Sequence, residues 1–458
     1  MTAPTVDVGQ SGHTRVLAEY LAGLQFEDLP GEAVDLIKIF ILECIGHMVL
    51  AQAQPVSRLL VGYARQLEAA GQASIIGGGF KTSVAEAAYV NASLAHADEL
   101  ESYGAVPGTG LIPPIVAGLA VGEFRNRSGK HFITAVIAGI EMQGRLGMAG
   151  IGACDRGFMG ISLVGPGGAV ITAGKLFGLG VDQLQNAMGT ALPLSNGSTR
   201  GCGSMSHVHE AGVPARTGVL AAQLAASGFT ACTDYLDGNY SWGEQFAGET
   251  GSRPYDAAKL TAGLGGPLFL QIAGVAPKRY GSCGLTHQTI HGTIEIMREN
   301  SVGPDDIESI ELRVPPWADR IAPYRDPVNG EQAKFSIRHG VAGLLVGGVP
   351  ELPYTHAFGD AAASDPRYVE ARKRVRVVVL DGESVRGFAD QVVAVTLRDG
   401  RVITKVVPSL QTVKYSLDER IAMFKNTAKA LGDRADRLTD VVMNLDSHSV
   451  TDVTELAR

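Results

Sequence analysis

No P-loop occurs in this chain and no GxGxxG follows a strand, so a nucleotide cofactor is not expected. GxSxG and HExxH are also missing, which removes the elbow of the α/β-hydrolases and the helical zinc-peptidase signature. Cysteine is sparse. Cys44, Cys154, Cys202, Cys232 and Cys283 are scattered without CxxC or paired spacing, as fits free thiols in a reducing compartment. No charged-then-apolar leader opens the sequence, and the chain reads as cytoplasmic. Asp and Glu (47) outnumber Lys and Arg (39), a net charge of −8 that argues against nucleic acid or an anionic membrane as partner. A small-molecule substrate remains, and it can still be anionic because local potential decides that.

The 458 residues are too many for one core, so two domains are expected. From about Thr14 to Gly228 the apolar period is helical. Ser83 and Glu86 have capping-box spacing, and Pro113–Pro114 suit the opening turn of a helix. Another helix begins at Ser128, a further one opens at Gly165–Gly168, and Pro214 lies near the start of one closed by Gly228. The apolar run Ile37–Leu50 contains Lys38, Glu43 and His47, so it reads as a buried helix rather than a membrane span. No strand alternation of useful length appears, and this region is expected to be all-α.

The character changes near residue 275. Ile310, Leu312 and Val314 alternate with charged residues, Arg374–Leu380 is β-branched, and Val393–Leu397 faces Val402–Val407 across Asp399-Gly400. Helices are expected around Thr286–Arg298 and Lys334–Val346. After Pro408 the helical pattern resumes with a Ser416/Glu419 capping box. The expected fold is mainly α: a large all-helical domain (1–272 plus 409–458) with an inserted smaller α+β lid domain (273–408).

Three groups could carry chemistry. His96, Glu99 and Tyr103 fall at i, i+3 and i+7, one face of a continued helix, with Glu101 beside them. The loop Val106-Pro-Gly-Thr109-Gly110 then offers glycines for close backbone approach, with a helix start suited to a carboxylate. The run from Arg200 to Glu210, ahead of the helix bearing Arg216, concentrates His207, His209 and Glu210 in a Gly-rich loop, a composition typical of a substrate wall. His287, His291 and Glu295 stack at i, i+4 and i+8 without completing a metal pattern, and no metal is expected. His287 follows Tyr280-Gly-Ser-Cys283 closely and could face the cleft.

These segments, together with Asn91-Ala-Ser-Leu-Ala-His96, the run Ser128–Glu141, Ala173–Leu179, Ala215–Ala222 and Ala333–Ile337, resemble the MmgE/PrpD family in order and spacing over nearly the whole chain. That family includes 2-methylcitrate dehydratase, cis-aconitate decarboxylase and iminodisuccinate epimerase. The resemblance implies a homodimer of helical domains with α+β lids, and a cofactor-free interdomain site that moves a proton beside a carboxylate. It implies elimination or decarboxylation, with epimerisation as the alternative and a non-catalytic ligand-binding relative as a second. It places Glu99 at a family active-site acid position. The family's His-Pro becomes Val106-Pro107, its Gly-Phe-His-Pro becomes Gly157-Phe-Met159-Gly160, and its Thr-Lys-Pro-Leu-His becomes Ser206-His-Val-His-Glu210. A fixed cation is thus replaced by His207, and a less charged substrate, or a different proton route through His207, His209 and Glu99, is expected.

On these grounds His207 or Glu99 is the expected base. Tyr103, Arg200 or Arg216 would hold the developing enolate oxygen, and His209 or His287 would be the acid. His96, Glu101, Thr109, Met159, Glu210 and Tyr280 complete the expected substrate contacts.

Overall fold

Small and branched apolar residues at helical spacing form long helices that bury each other on several sides. A computed structural model describes residues 12–248, 253–382, 389–410 and 413–458. Its first half contains α1 (Gly31–Leu50), α2 (Val84–His96), α3 (Ile112–Phe124), α4 (Gly129–Ala149), α5 (Gly160–Phe177) and α6 (His209–Ala226). α5 lies against α3, α4 and α6. It is long and apolar enough to cross a membrane, but 83% of it is buried inside the protein, so packing accounts for its composition. Contact with α6 is close because Gly218 has no side chain: a Cβ there would sit 2.4 Å from the Ala169 Cβ.

The sequence pattern and the helices differ in places, each for a physical reason. α5 begins at Gly160, ahead of the expected Gly165–Gly168 start, and Pro166 and Pro214 lie inside α5 and α6. Each proline removes one ladder bond, a loss that the burial of α5 and of the inner face of α6 outweighs. Ser83 is the N-cap of α2 but makes no side-chain cap bond, and the reciprocal half of the box is missing because the Glu86 carboxylate pairs with Arg216 and accepts from Tyr63 instead. A hairpin of Ala73–Ile75 and Phe80–Thr82 interrupts the expected all-α region; strands of three residues are too short to show a period of two.

The second core is built on a mixed sheet of β1 (Ile307–Val314), β2 (Val375–Val379), β3 (Gln391–Leu397) and β4 (Val402–Val407). Its order is β2-β1-β3-β4, with β1 and β2 parallel and the other pairs antiparallel. Asp399-Gly400 makes the β3–β4 turn, with Gly400 at φ 89°. α7 (His287–Glu299) covers β3 and β4, and α8 (Ile337–Gly347) packs against α7 and β2.

The last helices, α9 (Leu417–Thr427), α10 (Arg434–Met443) and α11 (Val450–Ala457), return to the first core through Phe424, Leu438, Val442 and Val453. Ser416 and Glu419 close the capping box that starts α9. The return is fixed by Arg420, which donates to both carboxylate oxygens of buried Glu43 on α1 at 2.7 Å each.

Candidate active site

α2 ends at His96, so the helix does not continue to Glu99 and Tyr103 as their spacing led us to expect. The chain turns at Glu99, whose φ of 53° is left-handed, a conformation that costs a non-glycine residue about 1–2 kcal/mol. Buried Lys334 holds this turn by donating to the Ala97 carbonyl at 2.7 Å. Tyr103 then forms an antiparallel bridge with Ala276, two backbone bonds of 3.0 Å each. Continuing that register two residues sets Glu101 opposite Lys278.

Lys278 is the centre of the charge arrangement. Its Nζ lies 2.9 Å from Glu99 Oε2 and 2.5 Å from Glu101 Oε1. The other oxygen of Glu99, Oε1, is 2.7 Å from His207 Nε2 and 3.4 Å from His96 Nε2. His207 comes from a short 3₁₀ turn, Met205–Val208, that runs into α6. Its Nδ1 faces Cys202 Sγ at 3.9 Å and its ring meets Phe335 edge-on.

Burial disfavours charge on every one of these groups, yet the pairing reverses it at three. Against burial, Lys278 and then His207 hold Glu99 well below the usual carboxylate range. Against burial again, Cys202 and Glu99 raise His207 well above an ordinary imidazole. Lys278 is raised in the same way by Glu101 and Glu99. Glu101 goes up to about 7, through burial and then the Glu99 charge. His96 falls to about 3, through burial and then His207. At neutral pH the pair is therefore a Glu99 carboxylate and a His207 imidazolium, with the mobile proton on the ring.

His96, Glu99, His207, Lys278, Tyr103 and Thr109 line one side of a cavity of about 150 Å³. Met159, Ile161, Leu285, Trp317, Ile321 and Phe335 make its apolar wall. Trp317 and Phe335 belong to the second buried cluster, so both cores contribute to one crevice.

Sequence patterns for the MmgE/PrpD N-terminal domain match residues 15–254, and those for the MmgE/PrpD C-terminal domain match residues 280–445. The chain belongs to the MmgE/PrpD family. It is 25% identical over 490 residues to a cis-aconitate decarboxylase of Aspergillus terreus (strain NIH 2624 / FGSC A1156), covering 100% of this chain and 97% of that protein. A second Aspergillus terreus cis-aconitate decarboxylase is 25% identical over 494 residues, with the same coverage. The cis-aconitate decarboxylase-like protein oryM of Aspergillus oryzae is 26% identical over 359 residues, covering 73% of this chain and 74% of its own.

In this MmgE/PrpD chain several expected contacts lie away from the cavity. His209 opens α6 on the outside, stacked on Tyr89 with Nδ1 2.5 Å from the phenol oxygen. Arg200 is exposed and does not line the cavity. Arg216 is half-exposed and paired with Glu86 at 2.7 Å. Glu210 accepts from Ser162 and from the Ser198 N–H, which ties down a turn. Tyr280 is buried beneath the site, its hydroxyl 3.2 Å from His291 Nδ1. His287 also lies beneath: Nε2 sits 3.0 and 3.1 Å from the carbonyls of Tyr280 and Ser282, and the ring supports Tyr103 edge-on. Burial and then Lys278 hold His287 down to about 3, so it acts as a neutral brace.

Lys278 is the main residue that sequence reasoning passed over. It brings a buried fixed cation to the site, against Glu99 and Glu101. The signal was thin: two adjacent cations, Lys278-Arg279, just ahead of the Tyr280-Gly-Ser-Cys283 run.

Proposed function

We propose that this chain is a cofactor-independent lyase that decarboxylates a small unsaturated organic acid, with His207 and Glu99 as the proton-handling pair. The observation that carries this reading is the 2.7 Å contact between them, buried against the cavity with Lys278 behind Glu99. Both full-length relatives are named for cis-aconitate decarboxylation, which supports a lyase of this type.

In the proposed step the bond from carbon to the departing carboxylate breaks and CO₂ leaves. Its electron pair moves into the conjugated remaining acid as an enolate. The Lys278 ammonium supplies fixed positive potential at that oxygen, of the kind that is worth most in a water-poor site. The proton between His207 Nε2 and Glu99 Oε1 passes to carbon as the substrate opens that contact, and water reprotonates the ring after release. Glu99 stays ionised throughout, held by the Lys278 ammonium on its other oxygen. A resting proton on His207 favours donation over abstraction, so decarboxylation fits better than an elimination or epimerisation that begins by removing a proton. One fixed cation against a wall of Met159, Ile321 and Trp317 fits a dicarboxylate better than a tricarboxylate.

The test is a panel of unsaturated carboxylates, cis-aconitate included, incubated in deuterated water. We expect CO₂ release with one deuterium on the product carbon, and a kcat about 10²–10⁴-fold lower for His207→Gln. Undiminished turnover by that variant would remove His207 from the mechanism. Deuterium in recovered substrate without CO₂ would identify an epimerase. Binding with no turnover across the panel would identify a non-catalytic relative.

A further inference from the structure

His96 is 3% exposed, yet neither of its nitrogens is well used. Its Nδ1 has no hydrogen-bond partner, and its Nε2 faces Glu99 Oε1 at 3.4 Å, beyond the roughly 2.7–3.2 Å of a sound N–H···O bond. The same Glu99 oxygen already meets His207 Nε2. One ligand atom from each of His96, Glu99 and His207 lies within 4.8 Å of the other two, and all three residues are buried. They also line the cavity, so a fourth position is open to solvent or substrate.

We propose that His96, Glu99 and His207 form a binding site for a first-row divalent metal ion such as Zn²⁺, seated among His96 Nε2, Glu99 Oε1 and His207 Nε2. Two imidazoles and one carboxylate with an open position is a donor set that binds zinc and its neighbours. Ligand bonds of about 2.0–2.2 Å put tetrahedral neighbours roughly 3.3–3.6 Å apart. The His96–Glu99 separation of 3.4 Å already fits, and the 2.7 Å His207–Glu99 contact must open by about 0.6–0.9 Å.

Lys278 does not block the ion. It sits on the opposite oxygen, Oε2, and Glu101 offsets its charge at 2.5 Å. The bound ion leaves the cluster with surplus positive charge, so the open position selects an anion, a carboxylate above all. Resting on the proposed reaction, one consequence is that metal-bound and proton-bound forms exclude each other, and Zn²⁺ is an inhibitor reversed by chelation.

The test titrates metal-stripped protein with Co²⁺ and follows its visible absorption. We expect one equivalent with the intense visible bands of four-coordinate cobalt, and affinity about 100-fold or more weaker in His96→Gln and in His207→Gln, beyond what outer-shell losses cause. His209→Gln should keep full affinity. Each variant is first checked for a native melting transition, and Glu99→Gln replaces any that fails it. Full affinity in both histidine variants would overturn the site. A sulfur-to-cobalt band abolished by Cys202→Ser would overturn the donor set. This readout needs no substrate, so it stands or falls apart from the decarboxylation assay.

Discussion

His47 on α1 shows how a single buried side chain sets a pH response. It shares a small void with Glu43 and Glu101. Burial, and then the charge of Lys278, hold it down to about 3 from the ordinary 6.5. Between those values the unfolded chain carries a proton at this position and the native chain does not. The stability His47 contributes is therefore complete above pH 6.5 and is lost as pH falls toward 3. The slope is at most about 1.4 kcal/mol per pH unit, or roughly 2 kcal/mol between pH 6.5 and pH 5. Replacement by Gln removes this increment, so urea unfolding should show His47→Gln gaining on the parent by that amount between pH 7 and pH 5. A stability difference that stays constant with pH would mean the native imidazole is not held neutral. The same reasoning marks out Lys278, whose removal would leave two buried carboxylates facing each other. Breaking a buried pair in this way typically costs about 3–5 kcal/mol.

Among the elements, the loop 104–110 is placed by a helix that has no side chain where they touch. A Cβ on Gly147 of α4 would fall 1.6 Å from the Pro107 carbonyl oxygen. Gly147→Ala must therefore push the loop that carries Thr109 out of the cavity wall. We expect about 1–3 kcal/mol of destabilisation and, since misplacing a site by about 1 Å can cost around 100-fold, a kcat/KM loss of that order. Wild-type kinetics in this variant would mean the loop has another place to rest. Elements of this kind divide into what the sequence displays and what it hides. The Ser416/Glu419 box, the Asp399-Gly400 turn and the Pro113–Pro114 opening are local chemistry, and each stands where its residues put it. The left-handed turn at Glu99 is not local in that sense, because Lys334 from the second core holds it. Its absence from the pattern made His96, Glu99 and Tyr103 look like one helical stripe. The two histidines of the 207–209 run also could not be separated by composition. Residues two apart on a helix do not share a face, so the turn that aims His207 inward sends His209 out to Tyr89.

Across the whole molecule, the crevice joins two separately buried cores. Glu99 and His207 lie on segments of the first, and Trp317 and Phe335 on segments of the second. A carboxylate held between them should tighten both. At 100 times its Kd it should add about 2.7 kcal/mol to stability, and hydrogen exchange should slow in β1 and β3 as well as in α2. Protection confined to one core would mean the ligand binds elsewhere. Mean composition could not reveal this convergence, since Lys278 lies in neither a helical nor a strand pattern and reaches Glu101 only through the Tyr103–Ala276 bridge. The Glu43–Arg420 pair carries a different implication, for synthesis. Its members are 377 positions apart. At about 5–20 residues per second, a ribosome needs roughly 20–75 s to supply the guanidinium after the carboxylate has been made. Throughout that interval the α1 face awaiting α9 is uncovered, and only near its end, by residue 410, does the β-sheet core have all its own strands. The earlier-encoded core is thus sealed only by the final helices to emerge.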